Sequence, residues 1–354
     1  MKTAVVLFNL GGPDSLAAVR PFLFNLFNDP AIIGLPALPR YLLARLISSR
    51  RERKAQGIYA QMGGRSPILP QTETQALALQ QALNGDGDGE WRCFVAMRYW
   101  HPRAAQTLRE VMAWGAERVV LLPLYPQFST TTSASSLREW RGLAQAAGFA
   151  APTAAICCWP AQSGFIAAMA AETRRKIEAA SAHGRPRVLF SAHGLPEKVV
   201  RGGDPYVHQV EATVAALVGA LGLAGDDYEI CYQSRVGPLR WVGPATEACV
   251  EAAARAGQPI VMVPVAFVSE HSETLVELDI EYRDLALRHG APAYLRVPTV
   301  QADAGFVAGL AALARIGAQR AGQVQGSIAS ESGERFCPGE FARCAMAAPA
   351  GGAG

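Results

Sequence analysis

No stretch of the chain stays apolar for the roughly 18 uninterrupted residues that a helix needs to cross a bilayer, so a helical membrane-spanning protein is not expected. Charge is scarce too: 18% of residues are Asp, Glu, Lys or Arg while 50% are apolar, a balance that excludes wholesale disorder. The formal net charge of +3 is too small to attract nucleic acid, and no basic residues alternate with aromatics in an RNA-binding motif. Met1 to Leu10 hold a single Lys and lack the apolar stretch and cleavage site of an export signal. The expectation is a cytoplasmic protein, soluble or lying on a membrane surface. The seven cysteines, Cys93, Cys157, Cys158, Cys231, Cys249, Cys337 and Cys344, are an odd number in a long chain. They read as reduced thiols or metal ligands, not as a disulfide frame.

What is present is a chain of 354 residues, enough for about two domains with sizeable cores. Short β-rich apolar runs alternate with longer helical patterns, which is how parallel α/β sheets read. Strands are expected at Thr3–Asn9, Cys93–Met97, Arg118–Leu122, Thr153–Cys157, Val188–Ser191, Tyr228–Tyr232, Ile260–Val263 and Tyr294–Val297. Helical spacing is clearest over Thr72–Leu83, Gly164–Ala179, Pro205–Leu221, Pro244–Arg255 and Ala302–Arg315. Asp204 before Pro205 is a good helix start, and Gly85–Gly89 reads as a turn. A domain boundary is expected near residue 150, giving residues 1–150 and 151–318. Residues 319–354, rich in Ala, Gly and Ser, would be mobile unless their two cysteines anchor them.

Two segments carry chemistry in the second half. Ser191-Ala192-His193-Gly194-Leu195-Pro196 follows a strand, which sets His193 at the carboxyl end where open α/β sheets bind ligands. A neutral imidazole there can take a proton at cellular pH; the bland alternative is a ring that only bonds the next turn. Glu270, Glu273, Glu277 and Glu281 follow another strand, and helical spacing puts them within an arc of about 80°. Such a carboxylate stripe is either a solvated face or an oxygen-lined path for a loosely held divalent cation.

The first half offers Arg51, Tyr59 and the turn Gly63-Gly64-Arg65-Ser66-Pro67, groups suited to a carboxylate. Residues 30–43 are too rich in proline and apolar side chains for an ordinary surface loop. Either they are buried or, beside Arg40, Arg45, Arg50 and Arg51, they form an apolar lip that contacts a membrane and admits a poorly soluble ligand. Ser129–Ser136 is a hydroxyl-rich run expected to cap a helix.

Seven motifs in order, Asn9-Leu10-Gly11-Gly12-Pro13, Gly63 to Pro67, Arg98-Tyr99-Trp100-His101-Pro102, Leu122 to Phe128, Ser191 to Pro196, Tyr232 to Pro238 and Phe267 to Tyr282, resemble the ferrochelatase family. The resemblance implies an α/β fold of two similar Rossmann-like domains, each an open parallel sheet flanked by helices, with a porphyrin cleft between them. It implies insertion of Fe(II) into protoporphyrin IX to give haem, with release of two protons. His193 then matches the active-site histidine and Glu273 its partner carboxylate, with Glu270, Glu277 and Glu281 as the acidic row behind. Arg51, Tyr59 and Ser66 match propionate contacts; Arg98, Tyr99 and Trp241 match groups lining the cleft. Thr130 stands where animal members carry a cluster cysteine, so an animal-style [2Fe–2S] site is excluded. Some bacterial members hold a cluster with tail cysteines, which leaves two readings of Cys157, Cys158, Cys337 and Cys344: cluster ligands or free thiols. The rival functions are a coproporphyrin ferrochelatase, a cobalt or nickel chelatase for an early tetrapyrrole, and a haem or metal carrier that binds without turnover.

Overall fold

Strands that are apolar on both faces can only lie inside a sheet covered by helices on either side. β1 (Lys2–Asn9) is such a strand, buried from Thr3 to Asn9. The computed structural model of the protein describes residues 1–347 apart from 86, 88, 236–238 and 324–325. Parts of the Gly85–Gly89 turn and of the Tyr232–Pro238 motif therefore lie outside the described residues.

After β1 come α1 (Val19–Phe27), α2 (Ala37–Ala60), α3 (Ile68–Asn84), β2 (Glu90–Met97), α4 (Ala104–Trp114), β3 (Arg118–Pro123), α5 (Ser133–Ala146), β4 (Thr153–Ile156) and α6 (Ser163–Ser181). The chain continues with β5 (Arg187–His193), α7 (Glu197–Arg201), α8 (Tyr206–Leu221), β6 (Tyr228–Gln233), α9 (Thr246–Arg255) and β7 (Ile260–Pro264). A π-helix over Glu273–Glu281 runs into α10 (Tyr282–Arg288), followed by β8 (Tyr294–Arg296), α11 (Ala304–Gln323) and β9 (Ser327–Ala329).

Two parallel sheets result, β2-β1-β3-β4-β9 and β6-β5-β7-β8, each flanked by helices. The α/β expectation holds, and strand pairing shows where the chain leaves the first sheet. β4 pairs with β3, Val119 opposite Thr153, so the chain leaves the first sheet only after Ile156. The tail returns to that sheet as well: β9 pairs with β4, Ala155 opposite Ile328. A sequence boundary drawn at small residues cannot detect strand pairing between distant segments.

The main core lies between the sheets. Val5, Leu7 and Leu122 face it from one, Phe190, Val261 and Val263 from the other, with Phe165, Val210 and Phe306 of α6, α8 and α11 between them. Separate apolar layers cover the outer faces, under α4 and α5 on the first sheet and under α9 and α10 on the second.

Candidate active site

His193 is the last residue of β5, an interior strand of the second sheet, so its ring emerges at the carboxyl edge. Its Nδ1–H donates to the Gly194 carbonyl oxygen at 2.6 Å. A carbonyl only accepts, so Nδ1 carries a proton, and Nε2 is the nitrogen left to accept one whenever the ring is neutral. Gly194 leaves little room for a side chain, because a Cβ would stand 3.0 Å from the Gln233 carbonyl oxygen and 3.2 Å from the Trp241 ring. That close approach lets Trp241 back the imidazole, ring centres 6.4 Å apart.

Opposite Nε2 lies Glu273, the first residue of the π-helix. Its Oε1 is 3.9 Å from His193 Nε2 and its Oε2 is 3.9 Å from His271 Nε2. Neither the Glu273 Oε2 nor the His271 Nδ1 has a hydrogen-bond partner among the described residues, although both are buried. Burial holds the His271 ring below the usual histidine range against the pull of Glu273 and Glu270, so it is neutral at neutral pH. Tyr59, at the end of α2, reaches Ser272 beside this carboxylate, and burial pushes its phenol up to about 12.

The even stripe expected of four carboxylates does not form. Glu270 precedes the π-helix; it accepts from Arg296 Nη1 at 2.9 and 3.1 Å and from the Thr299 N–H at 3.0 Å. Burial alone would raise its carboxyl, but the Arg296 charge and these donors bring it below the usual range. Glu277 accepts from the Gln233 side chain, the Ser234 N–H and hydroxyl, and the Tyr282 hydroxyl, at 2.6 to 3.2 Å. Burial and the neighbouring Glu273 still push its carboxyl up. Glu281 is exposed. The stripe assumed α-helical spacing, whereas a π-helix bonds i to i+5 and turns its side chains differently.

In the first domain, Ser66 sits so close to Gly12 that a Cβ there would fall 2.5 Å from its Cβ and Oγ, and its N–H bonds the Pro13 carbonyl at 2.8 Å. Arg51 lies over the Phe27 ring, its guanidinium carbon 5.8 Å from the centroid. Arg98 and Tyr99 do not line an open cleft. Arg98 pairs with Asp29 at 2.8 Å and Glu139 at 3.2 Å, while the Tyr99 hydroxyl donates to Asp29 at 2.8 Å with the side chain 1% exposed. Their polar atoms are consumed in holding the end of α1 to α5.

These observations describe an imidazole at a strand end facing a carboxylate with one oxygen left without a donor among the described residues, and kinship gives the reaction. Residues 2–317 match the profile of the ferrochelatase family. The chain is 51% identical over 344 residues to the ferrochelatase of Caulobacter vibrioides, covering 97% of each. It is 52% identical over 346 residues to that of Phenylobacterium zucineum, covering 98% of each. The chain belongs to the ferrochelatase family. Among solved structures, SirB from Bacillus subtilis with Fe3+ superposes with a TM-score of 0.50 at 12% identity, over 92% of this chain and 99% of that one, a likeness of fold.

A ferrochelatase inserts ferrous iron into a porphyrin in haem biosynthesis, and two pyrrole protons must leave as the metal enters. A neutral His193 with Nε2 free can accept a proton, and the Glu273 carboxylate between two imidazoles can pass one on. Among the described residues no three His, Cys, Asp or Glu side chains stand together as a closed metal cage.

His271, Gln71 and Gln75 were not singled out by sequence reasoning. The two glutamines of α3 cross from the first sheet to the acidic segment: Gln71 Oε1 accepts the Glu270 N–H at 2.6 Å, and Gln75 donates to the Val268 and Gln301 carbonyls at 3.0 and 2.8 Å. A polar residue repeated on the apolar face of an otherwise regular helix was the available signal.

The four cysteines named above also meet. The Cys157 and Cys158 sulfurs are 3.4 Å apart, Cys337 and Cys344 share a hydrogen bond, and Phe128, Phe336 and Ile328 enclose them. The hydrogen bond from Cys337 brings the Cys344 thiol down to about 6 despite its burial. Four thiols from two distant segments thus share one buried pocket, gathered as two pairs.

Proposed function

We propose that this ferrochelatase acts on protoporphyrin IX, with His193 as the base for pyrrole protons and Glu273 guiding iron or relaying protons. One observation carries the reading: Glu273 faces both imidazoles and its Oε2 has no donor among the described residues, while Glu270 and Glu277 are already satisfied. The exposed Glu281, at the far end of the π-helix, marks the approach for the cation. Arg51, Tyr59 and Ser66 receive the propionates and Trp241 backs the ring. Binding energy along the cleft offsets the distortion that exposes the pyrrole lone pairs.

An apolar margin favours protoporphyrin over more carboxylated porphyrins. Leu38 is 70% exposed and Leu42 58%, with Ile32, Leu35, Tyr41 and Leu46 also exposed along the start of α2. Among the described residues no helix is long and apolar enough to cross a membrane, so this margin would rest on a lipid surface from the cytoplasmic side. In the cluster reading, Cys157, Cys158, Cys337 and Cys344 hold a [2Fe–2S] centre, which supplies one-electron redox chemistry when bound.

The test is anaerobic Fe(II) insertion into protoporphyrin IX and, in parallel, coproporphyrin III, followed by haem absorbance, with His193→Ala and Glu273→Ala beside the wild type. Turnover on protoporphyrin, lost by at least about a hundredfold in each variant, is the expected result. Preference for coproporphyrin moves the substrate to the alternative, and binding without turnover moves the protein to a carrier.

A further inference from the structure

Arg296, the last residue of the edge strand β8, uses its whole guanidinium on one short segment. Nε and Nη2 each donate to Asp279 at 2.7 Å, in the two-pronged geometry that a carboxylate prefers. Nη1 donates to both oxygens of Glu270 and to the Val297 carbonyl at 3.2 Å. Arg296 and Glu270 side chains are 10% and 6% exposed, Asp279 36%. One rigid cation thus grips a residue three before Glu273 and another six after it.

That grip spans the part of the chain with the weakest conformation of its own. The π-helix is an uncommon geometry, and no side chain caps its first turn. Returned to α-helical winding, its residues would rotate about the axis and turn the Glu273 carboxylate away from His193 and His271. The Tyr294 hydroxyl adds a second tie from the same strand, donating to the Leu278 carbonyl at 2.7 Å. Gln71 holds the other end through the Glu270 N–H.

We propose that Arg296 is a positioning residue for metal insertion, fixing Glu273 between His193 and His271 by clamping Glu270 to Asp279. The proposal rests on the reading that Glu273 takes part in the reaction. In this role Arg296 acts through Glu270 and Asp279 and not by contact with porphyrin or iron. Lys cannot replace it, since one ammonium cannot fork to two carboxylates.

Removing Arg296 would strand two acids, one of them deeply buried, and risks unfolding. The informative variant is Asp279→Asn, which weakens the more exposed arm, with Glu270→Gln as the second and thermal melting as the check on folding. Asp279→Asn is expected to lower kcat about tenfold to a hundredfold while porphyrin KM stays within about twofold, the signature of a misplaced group. Glu273→Ala and the double variant Asp279→Asn/Glu273→Ala are then compared. If Asp279 acts through Glu273, the double variant is no slower than Glu273→Ala alone. Additive losses, or an unchanged kcat in both Asp279→Asn and Glu270→Gln, overturn the clamp while leaving Glu273 in place. Full activity in Glu273→Ala instead overturns the underlying reading of that carboxylate.

Discussion

At the scale of single residues, what separates one acid from another is the number of donors that claim it. Asp29 is the opposite extreme to Glu273: its carboxylate accepts from the Ala31 N–H, the Ser135 and Tyr99 hydroxyls and the Arg98 guanidinium, all at 2.7 to 2.8 Å. Burial would raise its carboxyl, yet these four partners hold it below the usual carboxylate range. A depressed folded value means that the stabilisation is fully present above the unfolded value of about 3.9 and is lost as pH falls through the folded one. Asp29→Asn is therefore expected to cost about 3 kcal/mol at pH 7, because it leaves Arg98 short of a buried partner. Chemical denaturation of both chains should show that difference shrinking below about pH 4. A pH-independent difference would mean that packing, not charge, holds this corner.

At the scale of elements, the instructive cases are those whose sequence signal was contradictory. α2 is a helix of 24 residues, although Pro36 and Pro39 and the exposed leucines read as a lip. Pro39 falls in the first turn, where a missing N–H breaks no intrahelical bond, so proline marks the start of this helix. The lip is thus the exposed front of a rigid element. The tail reads as mobile by composition, yet β9 extends the first sheet and Cys337 and Cys344 are buried. The Phe341 ring stacks on His208 at 5.0 Å, and the Arg343 N–H bonds the Gly203 carbonyl, just past α7. Ending the chain at Gln323 is expected to uncover β4 and the cysteine pocket, lowering the melting temperature and promoting aggregation. In the cluster reading, the full chain purified without oxygen carries iron and acid-labile sulfide, and Cys337→Ser and Cys344→Ser each lose them. Equal content in wild type and variants would leave the thiols unliganded.

At the scale of the molecule, buried polar side chains tie the two halves of the chain together. Asp204, expected only as a helix start, accepts from the Ser129 hydroxyl and from the Thr130 N–H and hydroxyl of the first half, as well as from the Tyr206 N–H. Gln127 donates to the Thr213 hydroxyl and the Val265 carbonyl. With the halves so joined, the α2 margin projects as one apolar face. Sedimentation with anionic lipid vesicles should bring the enzyme down, and Leu38→Ser/Leu42→Ser should return it to the supernatant. No sedimentation of the wild type at low salt would remove the membrane contact.

The alternation of strand and helix, the place of His193 at a strand end and the ferrochelatase motifs were all legible in the sequence. Each depends on a local pattern: periodicity, the residues bounding an apolar run, or a fixed order of short segments. Only the tertiary structure decided which of four glutamates stays free, where the chain passes between sheets and that four cysteines from two distant segments meet. Those outcomes depend on partners remote in the chain, such as Arg296 and Thr299 for Glu270, Ser234 for Glu277 and β4 for the tail. A carboxylate's availability is set by donors arriving from elsewhere, and spacing within its own helix does not encode them.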